Sequence, residues 1–142
     1  MKRLIKAMWP GALLGLLVGI MGCEGGGDGG GGGSGGDPAL VGNWRMVAMS
    51  VNGSGSFAPA TIGWDVQLQL NADGSVNATE VWQGASESNG GGWSVTGNTL
   101  NISAGDYNWS GAYSVGASSF SLSGVPNYDG EGHTGSFVFH RQ

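Results

Sequence analysis

The sequence is poor in charge, in cysteine and in long apolar runs, and each scarcity excludes a class of protein. Charged residues make up 11% of the 142 positions, with five basic against ten acidic side chains. The single cysteine excludes a scaffold held together by intrachain disulfides. The longest apolar run covers about a dozen residues, whereas a bilayer core needs about 20. The sequence therefore indicates one small domain that relies on its own core.

Glycine is the residue in excess, and its positions divide the chain into three segments. Four of the 31 glycines lie in residues 1–22, ten in residues 23–37 and seventeen from residue 38 onward. No Gly-X-Y period connects them, which excludes a collagen helix. The abundance of Gly, Ser, Asn and Thr also disfavours a helical bundle. We expect a leader over 1–22, a linker over 23–37 and one folded domain over 38–142.

The first 22 residues have the layout of a secretory signal. Three basic residues within the first six precede the apolar stretch from 11 to 22. The stretch ends in Ile20-Met21-Gly22-Cys23, which resembles the bacterial lipoprotein signal. The resemblance implies that Cys23 is acylated, for example with palmitate, and becomes the first residue of the mature chain. The alternatives are an ordinary signal peptide with an incidental cysteine and an uncleaved anchor.

Removal of this leader makes the chain more acidic. It leaves Arg45 and Arg141 against ten carboxylates, a formal charge of −8. Such a chain lacks the basic surface that nucleic acid or anionic lipid requires. We therefore expect the lipid bilayer to be reached through acylated Cys23 in the cell envelope. By resemblance to lipoprotein sorting rules, Glu24 favours the outer over the inner membrane, and the side of the membrane stays open.

Residues 23–37 read as a flexible tether that begins at the acylated cysteine. No apolar side chain after Cys23 can be buried there, and the glycines would lose much backbone entropy on ordering. A Gly-rich coil of this length has a root-mean-square reach of roughly 20 Å.

From residue 38 onward, apolar residues alternate with polar ones. Val66, Leu68 and Leu70 fall on one side of a strand, and Gln67 and Gln69 fall on the other. Short turns such as 71–74 separate the runs. The predicted strands are about 41–51, 63–71, 75–83, 91–96, 99–103, 108–115, 119–124 and 134–140. The short connections predict an all-β, eight-stranded antiparallel up-and-down meander without a helix, which can close into a barrel.

The first predicted strand carries a family resemblance. Gly42-x-Trp44 is similar to the lipocalin entrance motif, and the whole layout over 39–142 resembles bacterial lipocalin-like lipoprotein domains. In a closed meander the last strand lies beside the first, so Arg141 should approach Trp44. The resemblance implies that the arginine packs on the indole and caps the barrel floor. The alternative is a solvated terminal arginine.

Large aromatic side chains are the main functional lead. They either fill the barrel or line a cavity, with residues 52–61 placed as a lid. We therefore expect a monomeric barrel that binds a small hydrophobic or amphipathic ligand without a cofactor. The alternative is a structural or protein-interaction module with a solid core. The candidate ligand-binding residues are Trp64, Trp82, Trp93, Trp109, Tyr113 and Phe120.

Sequence motifs for catalysis or metal binding are few and weak. Asp129-x-Glu131-x-His133 could supply three metal ligands, but the surrounding turn formers favour an acidic hairpin loop. The folded domain over 38–142 contains no Gly-x-Ser-x-Gly elbow. Glu80 shares its strand parity with Trp82 and could point into the barrel, although a solvent-facing position is favoured. We expect no catalytic residues and no metal site.

Overall fold

Eight antiparallel strands close into a barrel within residues 36–142, the part of the chain that this computed structural model describes. The expected leader over 1–22 and the tether up to residue 35 lie outside the described residues. The strands are β1 Gly42–Val51, β2 Trp64–Leu70, β3 Ser75–Trp82, β4 Ala85–Thr96, β5 Thr99–Ala104, β6 Tyr107–Val115, β7 Ser119–Val125 and β8 Gly135–Arg141.

Each strand pairs with the next one in sequence, and β8 returns to pair with β1. This arrangement confirms the predicted up-and-down barrel. Seven of the eight strands agree with the predicted ranges to within one residue at each end. In the described residues the helices are two 3-10 turns, Pro38–Leu40 and Pro59–Ile62, and neither is long and apolar enough to cross a membrane.

The prediction that β4 begins at residue 91 is wrong, because the strand begins at Ala85. The turn before it consists of Gln83 and Gly84, which both have positive φ values of 48° and 90°. This is the backbone sense that a tight hairpin turn needs, and it lets β3 pair with β4 from Trp82↔Ala85 onward. The added segment is polar and mostly exposed, so it lacks the alternation that marks a half-buried strand.

The alternating apolar residues point inward along most strands. In β2 the sequence Trp-Asp-Val-Gln-Leu-Gln-Leu buries every second side chain, as the period of two requires. In β1 a register shift between Met46 and Ala48 changes the parity, so that Met49 rather than Ala48 is buried. The largest fully buried side chains include Trp44, Trp109, Tyr107, Phe120, Phe137 and Phe139.

The barrel has two ends with different connections. At the closed end, defined by the turns 71–74, 97–98 and 116–118, the chain enters β1 and leaves β8. At the mouth lie the loops 52–63, 83–84, 105–106 and 126–134. The loop 52–63 folds back on the barrel, because Phe57 exchanges two backbone hydrogen bonds of 2.9 Å with Met49.

Candidate binding site at the mouth of the barrel

Trp44 fills the closed end of the barrel. Its side chain is fully buried, and its indole Nε1 donates a hydrogen bond of 2.7 Å to the carbonyl of Leu40. Phe120 meets the indole edge to face with 4.9 Å between ring centroids, and Phe139 stacks on Phe120 at 4.6 Å. These aromatic contacts leave the closed end packed with side chains.

Arg141 covers Trp44 from outside. Its guanidinium carbon lies 4.2 Å from the centroid of the indole ring, and the two residues are register partners on β8 and β1. The guanidinium also donates hydrogen bonds to the carbonyls of Ala39, Val41 and Ala117 at 2.8, 2.9 and 3.1 Å. A single side chain thus joins the entry to β1, the β6–β7 turn and the barrel floor.

Gly42 leaves the space that this guanidinium occupies. A Cβ atom at position 42 would overlap Nη1 of Arg141, and the residue has a φ of 143°, which L side chains rarely adopt. The Gly42-x-Trp44 motif therefore supplies both the ring and the gap beside it.

Trp64 and Trp82 form an aromatic pair at the mouth. They are register partners on β2 and β3, and their rings meet edge to face with 6.4 Å between centroids. Nε1 of Trp64 donates a hydrogen bond of 2.5 Å to the carboxylate of Glu80. Nε1 of Trp82 is buried without a hydrogen-bond acceptor among the described residues. The expectation that Glu80 faces water is wrong, because its carboxylate is half-buried against Trp64.

A second aromatic group lies on β6 and β8. Trp109 stacks on Phe137 with 4.6 Å between ring centroids, and Tyr107 meets Trp109 edge to face at 4.9 Å. Tyr128, in the loop between β7 and β8, meets Phe137 at 5.4 Å. In the strand order of the barrel, β6 is four positions from β2, so the two aromatic groups stand on different walls.

The six candidate ligand-binding residues therefore divide between the two ends. Trp64, Trp82 and Trp109 lie toward the mouth. The other three lie toward the closed end. Trp93 donates a hydrogen bond of 2.9 Å to the carbonyl of Asn71, and Tyr113 donates one of 3.1 Å to the carboxylate of Asp37. Phe120 packs on Trp44. Sequence alternation could place all six inside the barrel, but it carried no information on their height along the axis.

The sequence model of one family, described as a lipocalin-like domain, matches residues 40–123. The chain belongs to this lipocalin-like family. The matched region holds Gly42-x-Trp44 and most of the barrel, while the capping Arg141 comes from β8 beyond it. A search of curated proteins found no match. Proteins of this family are generally non-enzymatic, and membership does not identify a ligand.

The acidic loop of this lipocalin-like barrel brings its three candidate metal ligands together. One ligand atom each of Asp129, Glu131 and His133 lies within 4.8 Å of the others. Nδ1 of His133 and the Asp129 carboxylate are 2.5 Å apart. Burial alone would raise the pKa of Asp129, but hydrogen bonds from His133 and the Glu131 backbone outweigh it and hold the pKa below its usual value. Burial, with Asp129 and Glu131 nearby, raises the pKa of Tyr128.

A shallow groove of about 310 Å³ lies on the outside of β1, β2 and β3 near the closed end. Its lining comes from outward-facing amides and their neighbours rather than from the aromatic candidates. The lining residues are Asn43, Trp44, Gln67, Leu68, Gln69, Asn77, Thr79 and Gln142.

Proposed function

We propose that this lipocalin-like barrel binds a small amphipathic or hydrophobic molecule at its mouth, without catalysis and without a cofactor. The observation that carries the proposal is the Trp64–Trp82 pair, which is partly open to solvent on the Trp82 side. Aromatic side chains with a few convergent polar groups are typical of small-molecule sites. Glu80 and the Nε1 of Trp82 supply those polar groups.

The contrast between the two ends supports the mouth as the site. Trp44, Phe120 and Phe139 are packed on one another at the closed end and sealed by Arg141. A ligand would have to displace that packing to enter there. At the mouth the covering element is the loop 52–63, held through a short backbone bridge between Phe57 and Met49. Loops are the segments that proteins open at small cost.

Tryptophan fluorescence tests this proposal. The full chain is titrated with decanol or a hydrophobic dye, and binding should shift or quench the emission at micromolar concentrations. Trp82→Phe should weaken the affinity and reduce the signal, whereas Trp93→Phe, near the closed end, should leave the affinity unchanged. Emission that does not respond in the parent chain would contradict ligand binding.

We also propose that Cys23 is acylated and anchors the domain to the cell envelope, with the outer membrane favoured. Two observations support this proposal. Residues 20–23 match the lipoprotein signal, and without residues 1–22 the chain is acidic and lacks a basic surface that could bind anionic lipid. Asp37 is held at the closed end by Tyr113, so the tether would join the barrel at the end opposite to the mouth. Cys23→Ala should move the chain from the membrane pellet to the soluble fraction, and a chain that stays in the pellet contradicts acylation as the anchor.

A protein-interaction module is the second candidate, and one observation favours it. β5 pairs with β4 from Gly91 onward, so within the described residues the edge of β4 from Ala85 to Gly90 faces no strand. Such an edge can accept a strand from a partner. Glu87 makes this edge polar, and Gly90 at its end has no side chain. A barrel that binds no small molecule, yet loses partner binding on Ser88→Pro, would support this alternative.

A further inference from the structure

We infer that the ligand at the mouth is an apolar molecule with an uncharged oxygen acceptor, such as a ketone or ester carbonyl, that binds Nε1 of Trp82. This inference rests on the proposed function and names the polar group of its ligand. It follows from a buried indole N–H that has no hydrogen-bond acceptor among the described residues.

The N–H of Trp82 lies on the inner side of the mouth. Trp82 is the register partner of Trp64, and residues directly opposite one another in an antiparallel pair point to the same face of the sheet. Trp64 is 7% exposed, so this face is the inner one. The Trp82 side chain as a whole is half-buried, whereas its Nε1 atom is buried. The polar edge of the ring therefore points away from water, on the face that lines the barrel.

The other tryptophans of the barrel have satisfied N–H groups. Each of them donates to a carbonyl or carboxylate oxygen, over distances of 2.5–3.4 Å: Trp44, Trp64, Trp93 and Trp109. Among the five tryptophans of residues 36–142, Trp82 is thus the exception. A buried donor without an acceptor costs free energy, and a ligand oxygen that accepts from it recovers that cost.

The surroundings of the Trp82 ring favour an apolar body for the ligand. The Trp64 ring lies 6.4 Å away between centroids, and the cross-strand partner of Trp82 on β4 is the small Ala85. The loop that covers the mouth ends beside the ring, because the carbonyl of Gly63 accepts 2.8 Å from the backbone N–H of Gln83. A ligand that displaces this loop meets two indoles and one unsatisfied donor. Apolar walls with a single polar group of this kind fix the orientation of a ligand.

The positions of the basic side chains favour an uncharged acceptor. In residues 36–142 the two arginines lie elsewhere: Arg45 is exposed on the outer face in an ion pair, and Arg141 covers the closed end. His133, in a mouth loop, is 43% exposed and pairs with Asp129. A carboxylate that accepted from Trp82 would lose its hydration without a cation inside the barrel to offset the loss. An ammonium group has no lone pair with which to accept the bond.

Three fragments of the same size test the inference: acetophenone, α-methylstyrene and benzoate. On the same phenyl ring they carry a carbonyl, a carbon–carbon double bond that is no comparable acceptor, and a carboxylate. Each is titrated at millimolar concentrations into the full chain, followed by calorimetry and by proton–nitrogen NMR of the indole groups. Acetophenone should move the indole proton of Trp82 downfield, whereas α-methylstyrene should not. Benzoate should bind at least about tenfold more weakly than acetophenone.

A comparison of variants assigns the acceptor to Trp82. Trp82→Phe keeps an aromatic ring and removes a donor that has no acceptor in the described chain, so the fold loses no hydrogen bond. It should weaken acetophenone about tenfold relative to α-methylstyrene, a ratio that cancels the different hydrophobicity of the two fragments. Trp93→Phe, whose N–H is already bonded to the chain, is the control and should change this ratio less than about twofold. If Trp82→Phe does not fold, the indole shift in the parent chain decides.

The outcomes separate this inference from the proposed function. If Trp82→Phe weakens both neutral fragments equally, or if the Trp82 proton does not move, the acceptor is refuted and ligand binding stands. Benzoate that binds as tightly as acetophenone overturns the uncharged acceptor. If no fragment binds while decanol still changes the tryptophan emission, the inference fails alone. If decanol also has no effect, the proposed function fails with it.

Discussion

Replacement of Arg141 by alanine should destabilise the barrel more than any other change to an exposed charged side chain. The substitution removes three hydrogen bonds to the carbonyls of Ala39, Val41 and Ala117. It also removes the guanidinium that lies 4.2 Å from the indole centroid of the fully buried Trp44. These contacts link both chain ends of the barrel to the β6–β7 turn.

The magnitude follows from those contacts. Arg141 is exposed, so each hydrogen bond is assigned the low end of the net range, about 0.5 kcal/mol. The cation–π contact of an exposed arginine adds about 0.5–1 kcal/mol. The expected loss in the free energy of unfolding is therefore about 2 kcal/mol. For a domain of roughly 100 residues this corresponds to a fall in Tm of about 8–16 °C.

Thermal unfolding followed by near-ultraviolet circular dichroism measures the effect. Arg141→Lys keeps the charge but loses the planar fork, so it should show most of the loss. Arg45→Ala is the matched control: Arg45 is also exposed, but its contact is one surface ion pair with Asp65, which contributes about 0–1 kcal/mol. An Arg141→Ala chain with unchanged Tm, or a lysine variant equal to the parent, would refute the cap.

A double-mutant cycle then connects Arg141 to the glycine beside it. Gly42→Ala should destabilise the barrel because the new Cβ overlaps Nη1 of Arg141 and because the φ of 143° is unfavourable for alanine. In an Arg141→Ala background only the backbone strain is left, so the second loss should be smaller than the first. Fully additive losses would mean that Gly42 is needed for its backbone alone.

The remaining predictions concern the close approach of β4 and β5 at Gly91, the acidic loop and metal ions. Gly91→Ala should lower the free energy of unfolding by about 1–3 kcal/mol, because the new Cβ would overlap the carbonyl of Ser103. The neighbouring Gly90→Ala is the control and should be nearly neutral, so equal unfolding midpoints for the two variants would contradict this prediction. Because the folded pKa of Asp129 is depressed, its contribution to the free energy of unfolding is present at neutral pH and is lost as pH falls below about 4. Asp129→Asn should therefore make stability fall less steeply with acid, which thermal unfolding at several pH values measures. Calorimetric titration with zinc or calcium should give no heat, and heat that His133→Ala abolishes would instead reveal a metal site.

The sequence predicted the barrel well where two signals agreed. In β2, strict alternation coincides with a clear turn at 71–74, and the strand agrees with its predicted range to within one residue at each end. At β4 both signals fail: Gln83-Gly84 is a less familiar hairpin turn, and Ala85–Gly90 has no buried face to alternate. Such a segment is held by backbone pairing to β3 across the two-residue turn, and composition does not encode that pairing.

The candidate site was harder to anticipate for a similar reason. Alternation places Glu80 on the parity of Trp82, but only the register with β2 brings the carboxylate to Nε1 of Trp64. The register of β3 with β4 sets Glu80 opposite Glu87, which lies in the stretch that alternation does not identify as a strand. Height along the barrel axis, which divides Trp82 from Trp93, depends on how far each strand is staggered against the next.

The two ends of the barrel differ in how completely their polar groups are satisfied. At the closed end Trp44 and Arg141 both have acceptors for the hydrogen bonds they donate. At the mouth a buried indole N–H of Trp82 lacks an acceptor among the described residues, which costs about 1–3 kcal/mol. Local conflicts of this kind within an otherwise consistent fold are expected where a protein binds something.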